Sequence, residues 1–186
     1  MKQILKQHGY PPMWKRTNTF QTLILIILEQ QVSLASAFAA FTKLKQKIGM
    51  LTPVKVLALS DEELRSCYFS RQKTVYAREL AKAFISKDIQ VKKLINSHDD
   101  DIRTTLKKVK GIGDWTVDVY LLFALQRSDI FPVGDLAMIK ALKEVKKISK
   151  ETSQEKILKI GEGWRPYRSV ATMILWHYYL SKRRKK

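Results

Sequence analysis

The chain has 186 residues, 45% of them hydrophobic, with 35 Lys and Arg against 17 Asp and Glu for a formal charge of +18. That length holds one globular domain or two small lobes, and that apolar share excludes general disorder. One cysteine and three scattered histidines exclude an intrachain disulfide, a thiolate zinc site and a four-cysteine iron–sulfur cluster.

In chain order the reading is helical almost throughout. No segment alternates in the manner of a strand, and seven Gly and five Pro are too few for an all-β domain. Met1 to Lys6 is basic but lacks the apolar stretch of a signal peptide, so no export signal is expected. The longest apolar run, Leu23 to Leu28, falls far below the roughly 18 residues of a membrane span. Thr19-Phe20 leads into a strongly apolar helix expected to run to about Ala40, with Glu29, Gln30 and Gln31 as polar interruptions before Gly49 and Pro53. Ser60-Asp61-Glu62-Glu63 has the Ser-x-x-Glu form of a capping box. A further helix is expected near Lys73 to Ile85, and His98-Asp99-Asp100-Asp101 is an acidic helix entry suited to the macrodipole. With no internal repeat or low-complexity linker, residues 1–186 form a single expected domain ending in a basic tail at 182–186.

The charge is unevenly placed. Residues 1–60 carry a formal +7, residues 61–101 are neutral, and residues 102–186 carry +11. Two basic flanks around a neutral middle point to a polyanion, with nucleic acid ahead of an acidic membrane surface.

Leu106 to Thr116 is the most informative stretch. A short helix should end at Gly111, Gly111-Ile112-Gly113 should form a tight hairpin, and an apolar helix should run from about Asp114 to Leu125. Glycines allow positive φ and a close backbone approach, and the amides of the new helix face a phosphate. The same residues also read as an ordinary helix cap and turn, although Lys107, Lys108 and Lys110 favour phosphate. Further on, Phe131-Pro132-Val133-Gly134-Asp135 delivers an aspartate to the start of another helix, where it is both a natural N-cap and a candidate functional carboxylate.

Together, Val109 to Gly113, Trp115-Thr116 and the Pro132…Gly134-Asp135 loop resemble the helix–hairpin–helix DNA glycosylase superfamily. Ile27-Leu28-Glu29-Gln30-Gln31-Val32-Ser33 and Trp164-Arg165-Pro166-Tyr167-Arg168-Ser169 are similar to blocks of its alkylated-base, 3-methyladenine-type branch. The resemblance covers about residues 10–180. It implies an all-α, two-lobed helical bundle with an inter-lobe active-site cleft, in which the N- and C-terminal segments share a lobe. It also implies a monofunctional glycosylase acting on alkylated bases in double-stranded DNA, as a monomer in the cytoplasm or nucleoid, or in a nucleus.

The resemblance carries Asp135 over as the catalytic carboxylate, facing the positive charge that base departure leaves on deoxyribose. Gly111, Ile112, Gly113, Lys108 and Lys110 become the DNA-backbone hairpin. Trp115 and Trp176 become walls of a base pocket, with Tyr68, Phe69, Trp14 and Tyr167 as further candidates, although aromatics on apolar helices are commonly core. Gln31, with Gln30 beside it, falls where a side chain enters the space of the extruded base. Trp115 stands where bifunctional relatives carry a nucleophilic lysine, so a lyase step is not expected. Val119 departs from a tyrosine of another branch member. No metal or cofactor is expected beyond a monovalent cation at the hairpin. Glu29, the lone acid of the first sixty residues, is expected to pair with an Arg or Lys or to lie near the pocket. The alternatives are a non-catalytic helix–hairpin–helix DNA-binding module and, on charge alone, an RNA-binding protein.

Overall fold

A computed structural model describes residues 1–184. Among them twelve helices and no strand form: α1 (Lys2–His8), α2 (Phe20–Glu29), α3 (Leu34–Ile48), α4 (Pro53–Ala58), α5 (Asp61–Ser66), α6 (Arg71–Ile85), α7 (Val91–Leu94), α8 (Asp99–Lys107), α9 (Asp114–Phe123), α10 (Leu136–Lys146), α11 (Gln154–Glu162) and α12 (Arg168–Arg184). The chain divides into two compact units, one of Arg16–Tyr120 and one of Met1–Lys15 with the chain from Leu121 onward.

In the Arg16–Tyr120 unit, α2 is the central rod. Leu23, Ile24, Ile26, Ile27 and Leu28 are each at most 1% exposed, so the helix is covered on every side. Each such side chain contributes about 1.5–3 kcal/mol on burial. Helices α3 and α6 pack on α2, and α4 and α5 pack on α6. The fully buried Tyr120 donates its hydroxyl to Asn18 Oδ1 at 2.6 Å, and Asn18 Nδ2 donates to the Val91 carbonyl at 2.7 Å. That relay satisfies polar groups that burial would otherwise penalise. The Ser60–Glu63 capping box is present in both of its hydrogen bonds.

The long apolar helix expected through Ala40 is two helices. α2 stops at Glu29 and α3 starts at Leu34, with Gln31 in the left-handed region at φ 57° between them. Ser33 restarts the helix by accepting from the Ser36 amide at 3.1 Å. Neither glycine nor proline marks this break. α9 ends at Phe123, two residues before the expected Leu125, and α8 ends at Lys107, short of Gly111.

In the other unit α1 and α10 pack on α12, around Ile4, Met138, Leu142 and Leu175. His177 Nε2 lies 2.8 Å from the His8 carbonyl and links α12 to the end of α1. The basic tail expected over 182–186 begins inside α12, where Lys182 pairs with Glu144 at 3.0 Å. Lys185 and Lys186 lie outside the described residues.

Candidate active site

Asp135 occupies the N-cap of α10, as its type and position suggest, and Oδ1 accepts from the Met138 amide at 2.7 Å. It does more than cap. The same oxygen accepts from the indole N–H of Trp176 on α12 at 2.9 Å, and the residue is only 8% exposed. Two donors from different elements therefore fix one rotamer of a buried carboxylate. Trp176 is itself held from its face by Phe123, with ring centroids 5.2 Å apart and planes 28° apart. Trp14 meets Phe123 edge-on at 6.3 Å. Gln126 at φ 55° donates to the Trp14, Leu122 and Phe123 carbonyls, securing the end of α9.

The loop that presents Asp135 is tied down by the Trp164 to Ser169 block. Ser169 Oγ donates to the Arg127 carbonyl at 2.6 Å and accepts from the Ile130 amide at 2.9 Å. Arg168 spans Asp129 with its Nε at 2.7 Å and Nη2 at 3.0 Å, and Arg165 adds a third contact at 2.8 Å. Burial raises the Asp129 carboxyl, but hydrogen bonds and charge from Arg168, with Arg165, outweigh it and hold the group below its ordinary value. Phe131 packs so closely on Gly161 of α11 that a Cβ there would lie 2.8 Å from its ring. The backbone then turns through an Asp135 N–H to Pro132 carbonyl bond of 2.9 Å. The Arg-Ser block thus sets the loop.

The hairpin lies in the Arg16–Tyr120 unit. Gly111 has φ 94°, and a Cβ on it would sit 2.1 Å from Tyr76 Cγ. Gly113 differs: a Cβ there would meet nothing within 4 Å. Ile112 is buried and anchors the turn, whereas Lys108 and Lys110 are exposed. Lys107 is committed to Asp114 at 2.7 Å, and Arg103 pairs with the buried Asp118.

Gln30 takes a part in this hairpin that its sequence position does not reveal. Its Nε2 donates to the Gly111 carbonyl at 2.8 Å and to Thr116 Oγ1 at 2.9 Å, bridging the end of α2 to both sides of the turn. Gln30, expected beside Gln31 where a side chain enters the DNA, here braces the hairpin with its amide. Gln31 is exposed beside it.

Glu29 pairs with Arg16 through two bonds of 2.7 and 2.8 Å, and its side chain is 8% exposed. The expectation of a basic partner is met by a residue thirteen positions upstream, a separation no local pattern reveals.

Of the aromatic candidates, Trp14 and Trp176 are joined through Phe123, which sequence reasoning missed because it reads as ordinary helix filler. Trp115, Tyr68 and Phe69 belong to the other unit. Trp115 is half-buried on α9, and Val119 is buried there. Tyr68 is 61% exposed at φ 64°, with Lys43 Nζ 4.6 Å from its ring centroid. It borders a cavity of about 340 Å³ with Leu28, Val32 and Lys73. Burial pushes the Lys73 ammonium down, and its Nζ donates to the Leu28 carbonyl. Phe69 is 4% exposed and lines a different cavity, so the structure does not bring it to Tyr68. Tyr167 is exposed. Cys67 is free and buried.

An all-helical chain with a glycine hairpin and a loop-borne aspartate at a helix start defines a class. The model of the HhH-GPD superfamily of base excision DNA repair proteins matches residues 24–166, and the chain belongs to that superfamily. It is similar to DNA-3-methyladenine glycosylase 1 of Schizosaccharomyces pombe, at 29% identity over 182 residues, covering 94% of this chain and 80% of that protein. A solved structure of the S. pombe 3-methyladenine DNA glycosylase with abasic DNA superposes with a TM-score of 0.88 at 28% identity, covering 94% of this chain and 88% of that one. A Bacillus subtilis protein provisionally named as a DNA-3-methyladenine glycosylase is 26% identical over 184 residues, or 95% of this chain. The chain spans 64% of that relative's length.

Proposed function

We propose that the protein is a monofunctional DNA glycosylase that extrudes an alkylated purine from duplex DNA and hydrolyses its N-glycosidic bond, leaving an abasic site. The observation that carries this reading is the Asp135 carboxylate, buried and fixed by the Met138 amide and the Trp176 indole. A carboxylate that cannot rotate away needs no reorganisation when positive charge develops on the sugar, which is the condition for electrostatic stabilisation of the transition state. An alkylated purine already bears positive charge and departs as a neutral base, so little general-acid help is required. The C–N electron pair leaves with the base, and water adds to the sugar carbon and loses its proton, with Asp135 orienting that water.

The hairpin supplies the backbone contact. Exposed Lys108 and Lys110, the open side of Gly113 and the start of α9 can address a phosphate. Gln31 fills the space left by the extruded base. Trp115, in place of a lysine, supports hydrolysis without a Schiff base. The reaction as proposed uses no cofactor.

The test is release of free 3-methyladenine or 7-methylguanine from methylated duplex DNA. The protein should release both, and Asp135→Asn should abolish release while retaining DNA affinity. Borohydride should trap no covalent complex. Full activity in Asp135→Asn would overturn the mechanism, and DNA binding without any release would make the chain a binding module.

A further inference from the structure

The Arg16–Tyr120 unit carries a second cavity, of about 240 Å³, that the glycosylase reading does not use. It is lined by Asp61 and Arg65 of α5, Phe69 of the following loop, and Arg71, Thr74 and Arg78 of α6. Positions 71, 74 and 78 recur at helical spacing and share one face of α6. Three arginines and one aspartate therefore line one cavity.

That carboxylate is taken by one of them. Arg78 Nη2 donates to Asp61 Oδ1 at 2.7 Å and to the Leu59 carbonyl at 2.8 Å. Its Nε is buried and has no hydrogen-bond partner, which is unusual for a charged donor. Arg65 and Arg71 are exposed and make no ion pair with a carboxylate among the described residues. Thr74, 6% exposed, adds a hydroxyl. Ser70 caps α6, so the positive end of a 15-residue helix begins next to Arg71. Phe69, 4% exposed, supplies an apolar floor that keeps the charges from full solvation.

We propose that this cavity binds a phosphate oxyanion. Planar guanidinium forks match tetrahedral oxyanions through paired N–H donors, and a hydroxyl with a helix start completes the donor set. The phosphate is either a phosphodiester of a bound DNA strand or free inorganic phosphate. The DNA source rests on the proposed function only in that the protein engages DNA, and base release plays no part in it.

The experiment is a phosphorus NMR titration of inorganic phosphate into the full chain, paired with binding to undamaged duplex DNA across a salt series. Wild type should bind inorganic phosphate saturably. Arg65→Ala/Arg71→Ala should weaken it at least about tenfold, and Thr74→Val, which leaves charge unchanged, should weaken it about threefold. Lys92→Ala/Lys93→Ala, which removes two exposed cations from elsewhere in the unit, should leave it intact. If the occupant is a DNA phosphodiester, the slope of log K against log salt should fall by about 0.9 per lost contact in the arginine variant alone. An unchanged slope with the titration lost identifies free phosphate. The proposal is overturned if wild type shows no saturable binding, if the arginine variant binds as wild type does, or if the lysine control loses as much.

Discussion

At Asp135, capping and the proposed catalytic role draw on one conformation. The side chain accepts from Met138 because it begins α10, and the Trp176 indole reinforces the same rotamer from α12. Trp176→Phe keeps a ring against Phe123 but deletes the donor. Since a hydrogen bond to a charged group is worth about 1.5–3 kcal/mol, single-turnover base release should slow roughly 10- to 100-fold. Affinity for undamaged duplex should stay within about twofold, so a matching loss of affinity would assign Trp176 to binding instead. Glu29 shows the opposite case, a carboxylate whose environment is structural. Its bidentate partner Arg16 explains an acid in a basic segment. Glu29→Ala removes both charged hydrogen bonds of that pair and should cost about 2 kcal/mol in urea unfolding, with base release per folded molecule unchanged.

Among elements, the hairpin depends on two glycines for different reasons. Gly111→Ala would meet Tyr76 at 2.1 Å and force a left-handed alanine, so it should destabilise the protein by at least about 2 kcal/mol. Gly113→Ala should unfold within about 0.5 kcal/mol of wild type, because a Cβ there meets nothing. If the open side of Gly113 is where a phosphate approaches, that variant should still lose DNA affinity. Gln30→Ala removes two hydrogen bonds between α2 and the turn and should cost about 1–2 kcal/mol and weaken duplex binding together.

For the molecule as a whole, positive charge dominates, yet its few acids are heavily used. Asp129 gathers Arg165 and Arg168 at the loop leading to Asp135. Its carboxyl lies below the ordinary value when folded, so its contribution is complete above the unfolded value near 4 and is lost as pH falls further. Asp129→Asn should therefore be less stable than wild type at pH 7. The difference should shrink as unfolding is measured below about pH 4, and a constant difference would remove charge as its cause.

The helical class, the capping box at Ser60, the hairpin and the capping aspartate were legible in the sequence, because each depends on residues within a few positions of one another. The resemblance carried by ordered blocks named the family for the same reason, as local motifs in a fixed order. The tertiary structure alone decided the break at Gln31, the bracing of Gly111 by Gln30, the Arg16 partner of Glu29, and the grip of Trp176 on Asp135. The contact from Gln30 crosses 81 positions and that from Trp176 crosses 41, and periodicity carries no signal across such distances. Even the charge divides this way: its sum and uneven placement are sequence properties. Which cations are spent on carboxylates and which remain for a phosphate depends on how the chain folds back on itself.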